Sequence, residues 1–363
     1  FKKYKVNHIM GTAKVVGPRT IEIQTKEGET RKVTAGAIVI ATGARARSLP
    51  GVEFDGKTII TSKEAMVLPE VPKRLVIIGA GAIGMEFGYF YNAIGSKVTV
   101  VEMLDRILPN EDEDVSKGLT DILRKKGLEI LTSSKTTKVE KTNQGAVVTV
   151  ETPQGPRALE ADVVLVAIGV VGNVENLFAP DVKVAIEKNH IKVNKKYETS
   201  IPGIYAVGDV IGPPWLAHVA HHEADVCIER ICGHSDRTVD YDNIPGCTYT
   251  EPGVASIGLT EVQAKERGRP IKVGKFPFMA IGRALASDEP EGFVKLIFDA
   301  EHGELLGAHI LGTQATEMIS ELVMARRLEA TAEDLFHAIH PHPTYSEAVM
   351  EAAGLAFGQS VHY

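Results

Sequence analysis

The stretch from Arg74 to Glu102, RLVIIGAGAIGMEFGYFYNAIGSKVTVVE, constrains the fold of this chain more than any other. An apolar strand runs into Gly79-Ala80-Gly81-Ala82-Ile83-Gly84, a helical pattern follows through Met85 and Glu86, and a second strand ends at Glu102. The order strand, helix, strand implies a parallel βαβ unit. Its glycines have separate uses: the first permits a tight turn, the second lets a pyrophosphate approach the backbone, and the third lets helix and strand pack closely. The helix N-terminus then presents unpaired N–H groups to phosphate. A carboxylate at Glu102 accepts the hydrogen bonds of a ribose 2′-hydroxyl and repels a 2′-phosphate, so NAD is expected rather than NADP. A glycine turn without a ligand is the plainer alternative. Glu86 has two readings, a first-turn acid that complements the helix dipole or a group near the nicotinamide.

The chain has 363 residues, which suggests two or three domains. Its longest apolar runs stop well short of the roughly 20 residues needed to cross a bilayer, so no membrane partner is expected. The net charge of −7 gives no reason to expect a nucleic-acid partner. Three cysteines make no disulfide framework, and no signal peptide is evident, which suggests a reducing compartment. No metal site is expected. The sequence opens at Phe1 inside what reads as strand pattern, which suggests a piece of a longer chain.

Residues 1 to 34 alternate apolar and polar with turn signals at Gly17-Pro18 and Glu27-Gly28, the pattern of antiparallel ribbons. AIVIATG and VLVAIG are each a buried strand entering a glycine turn, and IYAVGDV repeats the style. After Ile244-Pro245-Gly246, the strands VASIGLT, GFVKLIFDA and LLGAHILG and the helices Ala315 to Arg327 and Ala332 to Ala338 read as an α+β domain.

Asp209 follows an apolar strand at its carboxyl end, where open α/β sheets place ligands. It reads as a contact to a hydroxylated chain such as a ribityl, or as a helix cap. Near the end, IHPHPTYSEAV carries His340 and His342 flanking a proline, and Thr344-Tyr345-Ser346-Glu347 is a capping box opening a helix. Cys227 and Cys232 have the spacing of a redox pair, yet in a helix five residues put Cα atoms about 9 Å apart. A disulfide needs them within about 7 Å, so both read as buried or half-buried thiols, and Cys247 has no partner in sequence.

ATGARARSLPGV, GAGAIGMEFG with Glu102, TSIPGIYAVGDV, WLAHVAHHEA and HPHPTYSEAV occur in that order, and together they resemble the pyridine nucleotide–disulfide oxidoreductases over essentially the whole chain. The resemblance implies an α/β fold of Rossmann-like FAD and NAD domains with a C-terminal α+β dimerisation domain. The implied boundaries are 1–70 for part of the FAD domain and a linker, 71–188 for the NAD domain, 189–243 for the return to the FAD domain, and 244–363 for dimerisation. It implies FAD and NAD as cofactors and a homodimer. It also implies a reaction that passes electrons from a dithiol through a redox disulfide and FAD to NAD. The branch most resembled serves dihydrolipoamide on the lipoyl domains of the E2 component of 2-oxo-acid dehydrogenase complexes.

Carried residue by residue, His342 matches a base that acts in the partner subunit's site, and Glu347 the carboxylate that orients it. One carboxylate oxygen can serve each of Glu347's two readings, and His340 reads as a structural neighbour. FAD contacts are implied at Thr42, Gly43 and Ala44, at Asp209, and at Trp215, Leu216, Ala217 and His218, where Trp215 replaces a usual methionine. Ala13 stands in place of a glycine that meets FAD. On the NAD side the matching positions are Gly79 to Glu86, Glu102, Val139 and Gly169. The resemblance also implies about a hundred further residues upstream, with the FAD pyrophosphate turn and the cysteine pair. The alternatives are a non-catalytic NAD-binding, dimerising fragment, or a relative such as soluble transhydrogenase. A bacterial cytoplasm or a mitochondrial matrix suits either.

Overall fold

The computed structural model describes residues 1–362 and resolves into two compact units, Phe1–Arg45 with Val170–Asp240, and Ala46–Gly169 with residues 241–362. In the first unit, Gly11–Gly17, Thr20–Thr25 and Thr30–Thr34 form an antiparallel sheet whose two turns fall at Gly17-Pro18 and at Glu27-Gly28. Strand begins only at Gly11; Lys2–Tyr4 make one 3₁₀ turn, because Lys2, Lys3 and Lys5 leave no face to bury. Beside this sheet, Ile38–Ile40 pairs in parallel with Ile204–Ala206. Ile38, Ile40, Ile204, Ala206 and Val210 form a core with Val15. The helix Ala217–Ile231 buries Val219, Glu223, Val226 and Cys227, an i, i+4, i+7, i+8 stripe.

The second unit contains a five-stranded parallel sheet in the order Ile59–Ile60, Val163–Val166, Arg74–Ile78, Lys97–Val101, Glu129–Leu131. Its strands are near-continuous Val, Ile and Leu because both faces are covered. The helix Ala82–Ala93 follows the glycine turn, and Glu113–Lys125 is capped by Asp112, whose carboxylate accepts from Asp114 N–H. Three antiparallel strands, Lys135–Thr142, Gly145–Thr152 and Gly155–Ala161, lie between the last two sheet strands in sequence. Ala146, Val148 and Val150 of the middle strand join a core with Val76, Ile78 and Val164. The same unit holds a five-stranded antiparallel sheet in the order Gly246–Thr248, Gly253–Gly258, Leu305–Gly312, Phe293–Asp299, Ile271–Pro277. Helices Ala315–Arg327, Ala332–His337 and Glu347–Ala356 accompany it.

Phe293–Asp299 is buried along its entire length, including Lys295. Burial would drive the Lys295 amine towards neutrality, but Asp112, Asp114 and Glu261 lie 2.7–2.8 Å from Nζ and hold it well above the ordinary lysine range. For Asp112 and Asp114, burial works against ionisation and the Lys295 ammonium overrides it. For Glu261, the Lys265 and Lys295 ammoniums outweigh burial; all three carboxyls stay below their ordinary range. The strand 293–299 is thereby tied to the start of helix Glu113–Lys125. Among the described residues no helix is long and apolar enough to cross a membrane, and no group of His, Cys, Asp and Glu is placed to hold a metal ion.

Candidate active site

The turn after Arg74–Ile78 shows which glycines the fold itself requires. Gly79 adopts φ +104°, and a Cβ there would stand 2.4 Å from the Ala167 carbonyl oxygen; at Gly84 a Cβ would stand 1.9 Å from the Gly79 carbonyl oxygen. Both are excluded by backbone. Gly81 is different: its φ is −72°, and a Cβ would meet nothing within 4 Å. Open space over the second glycine, at the N-terminus of a twelve-residue helix with no side-chain cap, fits a pyrophosphate.

Glu102 does more than the sequence suggests. Its side chain is buried, Ala80 N–H donates to Oε2 at 2.7 Å, and Leu104 N–H donates to Oε1 at 2.8 Å. The carboxylate therefore braces the turn and the loop beyond it, with lone pairs left over for a ribose hydroxyl. Ala80 and Met85 are fully buried, and Met85 N–H donates to the Gly81 carbonyl, so these two shape the turn by packing. Ala82 is exposed and Ile83 half-buried. Glu86 sits at the fifth helical position, past the first turn, so the dipole reading does not hold. It accepts from Tyr249 N–H at 2.9 Å, and burial raises its carboxyl above the ordinary range. Gly169, at φ +101°, lies just beyond strand Val163–Val166, and Val139 packs half-buried against the core of Val76 and Ile78.

In the first unit, the turn Thr42 to Ala44 and the turn of Asp209 follow the carboxyl ends of the parallel strands Ile38–Ile40 and Ile204–Ala206. Thr42 Oγ1 donates to the Asn173 carbonyl, Asn173 Nδ2 donates to the Thr42 carbonyl, and Asn173 N–H donates to the Gly43 carbonyl, all at 2.9 Å. Arg45 donates to Asn173 Oδ1, the Gly172 carbonyl and Glu175. The half-buried Asp209 carboxylate has no hydrogen-bond partner among the described residues, and burial raises it above its ordinary range. An unpaired carboxylate at the end of a parallel strand fits a ligand hydroxyl and is no helix cap. Gly208 N–H donates to buried Glu223 at 2.7 Å, which fixes this turn against helix Ala217–Ile231. Trp215 to His218 form that helix's entrance, with Leu216 at the N-cap. Ala13 stands apart, exposed on another sheet and paired with Ile23.

The C-terminal histidines separate cleanly. His342 is exposed, and its Nδ1 lies 2.9 Å from Glu347 Oε1, while Glu347 Oε2 accepts from Thr344 N–H at 2.9 Å. Burial opposes ionisation of Glu347, but the Thr344 N–H and His342 bring its carboxyl below the ordinary range. Only half of the expected capping box forms, since Thr344 Oγ1 donates to the Pro341 carbonyl and Ser346 is the N-cap. A carboxylate only accepts, so the neutral imidazole that fits this contact has its proton on Nδ1 and its lone pair on Nε2. The side chain of His340, by contrast, is buried between Glu321, 2.8 Å from Nε2, and the Ala338 carbonyl. Glu321 outweighs burial and raises its value.

Residues 1–224 match the family profile for pyridine nucleotide-disulphide oxidoreductases, and residues 244–353 match that family's dimerisation domain. The chain belongs to this family. It is 45% identical over 375 residues to the dihydrolipoyl dehydrogenase of Rhizobium etli, covering 99% of this chain and 78% of the relative. It is 43% identical over 365 residues to the mitochondrial dihydrolipoyl dehydrogenase of Pisum sativum, covering 100% and 73%. Among solved structures it is similar to the HOCl-induced flavoprotein disulfide reductase RclA of Escherichia coli, with TM-score 0.87, 27% identity, and coverage of 96% and 79%.

The pyridine nucleotide–disulphide oxidoreductase fold accounts for the α/β architecture, and the match to the dimerisation domain supports a homodimer. The family's cofactors, FAD and NAD, suit the residues found: Asp209 and the Thr42 turn in one unit, the Gly81 opening and Glu102 in the other. Relatives include bacterial and mitochondrial forms. The three cysteines are free; Cys227 is buried, which pushes its thiol up to about 11, and Cys247 is half-buried. Cys232 is exposed instead of packed, because the helix ends at Ile231. Asn173, Arg45 and Glu223 were not found by sequence reasoning. Only Glu223 left a signal there, as an acid on an otherwise apolar helical stripe.

Proposed function

We propose that this chain is the body of a dihydrolipoyl dehydrogenase, which oxidises dihydrolipoamide to lipoamide and reduces NAD. The dithiol gives up two electrons and two protons; NAD takes a hydride, and one proton is released. Bound FAD supplies the two-electron relay between the thiol side and the nicotinamide. The electrons enter through a cysteine pair outside the three free cysteines of residues 1–363.

The observation that carries this reading is His342, exposed, oriented by Glu347, and with Nε2 free to take a thiol proton. A base turned outward from its own chain acts in the partner subunit's site. Within Ala46–Gly169, NAD binds through the Gly81 opening, with Glu102 bracing the turn and meeting the ribose. Phe1–Arg45 with Val170–Asp240 hold FAD, with Thr42, Gly43 and Asp209 facing it. Residues 244–363 form the dimer. Trp215 to His218 stand beside the isoalloxazine. The substrate arrives on lipoyl domains of the E2 component of a 2-oxo-acid dehydrogenase complex, in a bacterial cytoplasm or mitochondrial matrix.

The test is NAD reduction by dihydrolipoamide, measured on the full-length, flavin-loaded protein. Turnover with NAD that exceeds turnover with NADP supports the reading. A loaded dimer that does not reduce NAD with dihydrolipoamide would contradict it.

A further inference from the structure

Trp215 is the one tryptophan of the 363 residues, and it keeps 37% of its surface exposed at the entrance to helix Ala217–Ile231. Its ring lies 5.8 Å from that of His190, with 30° between the planes. Offset ring pairs at such separations attract, and an exposed indole held this way has given up rotamer freedom before any ligand arrives. His190 is itself confined by backbone. A Cβ on Gly172 would stand 3.4 Å from its Cδ2, and one on Gly212 would stand 3.8 Å from its Cγ. Gly172 cannot gain a side chain, because the same Cβ would be 2.5 Å from the Asn189 carbonyl oxygen. Nε2 of His190 is buried and meets no hydrogen-bond partner among the described residues. A buried polar atom left unpaired asks for an explanation. The flat shape of the ring supplies one: a backstop for the indole.

We propose that His190 is a positioning residue, which presents the Trp215 indole as a flat wall to the isoalloxazine of bound FAD. The inference rests on the FAD-site reading above and names the group that sets the geometry of that wall. An unbranched side chain at position 215 would adapt to the flavin through its own rotamers. An indole has two torsions and needs a second ring behind it to define its plane. The parts come from three segments, Gly172 at the end of the strand Val170–Gly172, His190 on the short strand His190–Ile191, and Gly212 after the Asp209 turn. The Asp209 turn and the indole wall therefore share one support.

The test uses the full-length protein purified with its flavin, and Trp215→Phe isolates the Trp215 emission by difference. His190→Ala should lower the anisotropy of that emission and raise flavin emission, since a loosened indole quenches less. His190→Phe, which keeps a flat ring, should restore both signals, an outcome that loss of packing alone does not give. An unchanged Trp215 anisotropy in His190→Ala overturns the positioning role. Flavin emission indifferent to both His190→Ala and Trp215→Phe overturns the indole's place beside the isoalloxazine. Failure of the underlying reading looks different: a full-length protein that takes up no FAD sinks the flavin site and the wall with it. The anisotropy comparison then still decides whether His190 fixes Trp215.

Discussion

Glu347 divides its carboxylate between two partners, His342 on one oxygen and Thr344 N–H on the other, and each depends on its being an acceptor. Glu347→Gln keeps the shape but offers a donor, which allows the wrong imidazole tautomer and moves the proton to Nε2. Turnover with dihydrolipoamide should fall on the order of 10²–10⁴-fold while flavin stays bound; turnover within a few-fold of wild type would remove Glu347 from the base's support. Both members of this pair were legible, because His-Pro-Thr and the glutamate five residues later are contiguous in sequence. Glu102 was half legible. Its position at the end of a strand spoke for a ribose contact, whereas its grip on Ala80 N–H and Leu104 N–H depends on how the loop folds back. Glu102→Arg would therefore unpair two backbone donors as well as altering nucleotide choice, and Glu102→Gln is the cleaner probe.

The glycine turn joins two demands in six residues, and the demands come apart at separate positions. Gly84→Ala forces a Cβ onto the Gly79 carbonyl and should destabilise the protein by about 1–3 kcal/mol or more. In Gly81→Val the added Cβ meets nothing within 4 Å, so the melting temperature should fall less than in Gly84→Ala while NAD binding weakens at least tenfold, or ~1.4 kcal/mol. Titration of NAD alongside thermal melts checks both, and a Gly81→Val protein that binds NAD normally would place the pyrophosphate elsewhere. The βαβ unit was readable because strand, turn, helix and strand are consecutive. The strands Lys135–Thr142, Gly145–Thr152 and Gly155–Ala161 were not noticed. They interrupt the parallel sheet between its last two strands in sequence, and Glu, Lys and Thr dominate their open face. Ile271–Pro277 escaped for a related reason, being an edge strand with Lys272 and Lys275 on it.

At the scale of the second unit, Lys295 is the fastening between the antiparallel sheet and helix Glu113–Lys125. Lys295→Met would leave Asp112 buried without its cation, at a cost of about 3–5 kcal/mol. The pH dependence has a definite sign. Asp112, Asp114 and Glu261 have folded-state values below the ordinary carboxylate range, so the unfolded chain binds more protons in acid. Their contribution is present above about pH 4.5 and is lost as pH falls through the depressed values. Thermal melts from pH 7 to pH 3 should show a steeper acid loss in wild type than in Lys295→Met. Equal slopes would assign the acid sensitivity to other groups. This cluster was invisible in the sequence, because its members lie as far apart as residues 112 and 295 and only packing brings them together. The dimerisation domain, by contrast, was legible as a run of strands followed by helices after Ile244-Pro245-Gly246.

The most direct test of the central claim separates the two halves of the reaction in His342→Gln by rapid mixing of the full-length, flavin-loaded dimer. The account predicts that flavin reduction by dihydrolipoamide slows on the order of 10²-fold or more, while flavin reduction by NADH keeps its wild-type rate. Wild-type speed with dihydrolipoamide, or equal slowing from both sides, would contradict His342 as the base of the thiol half-reaction.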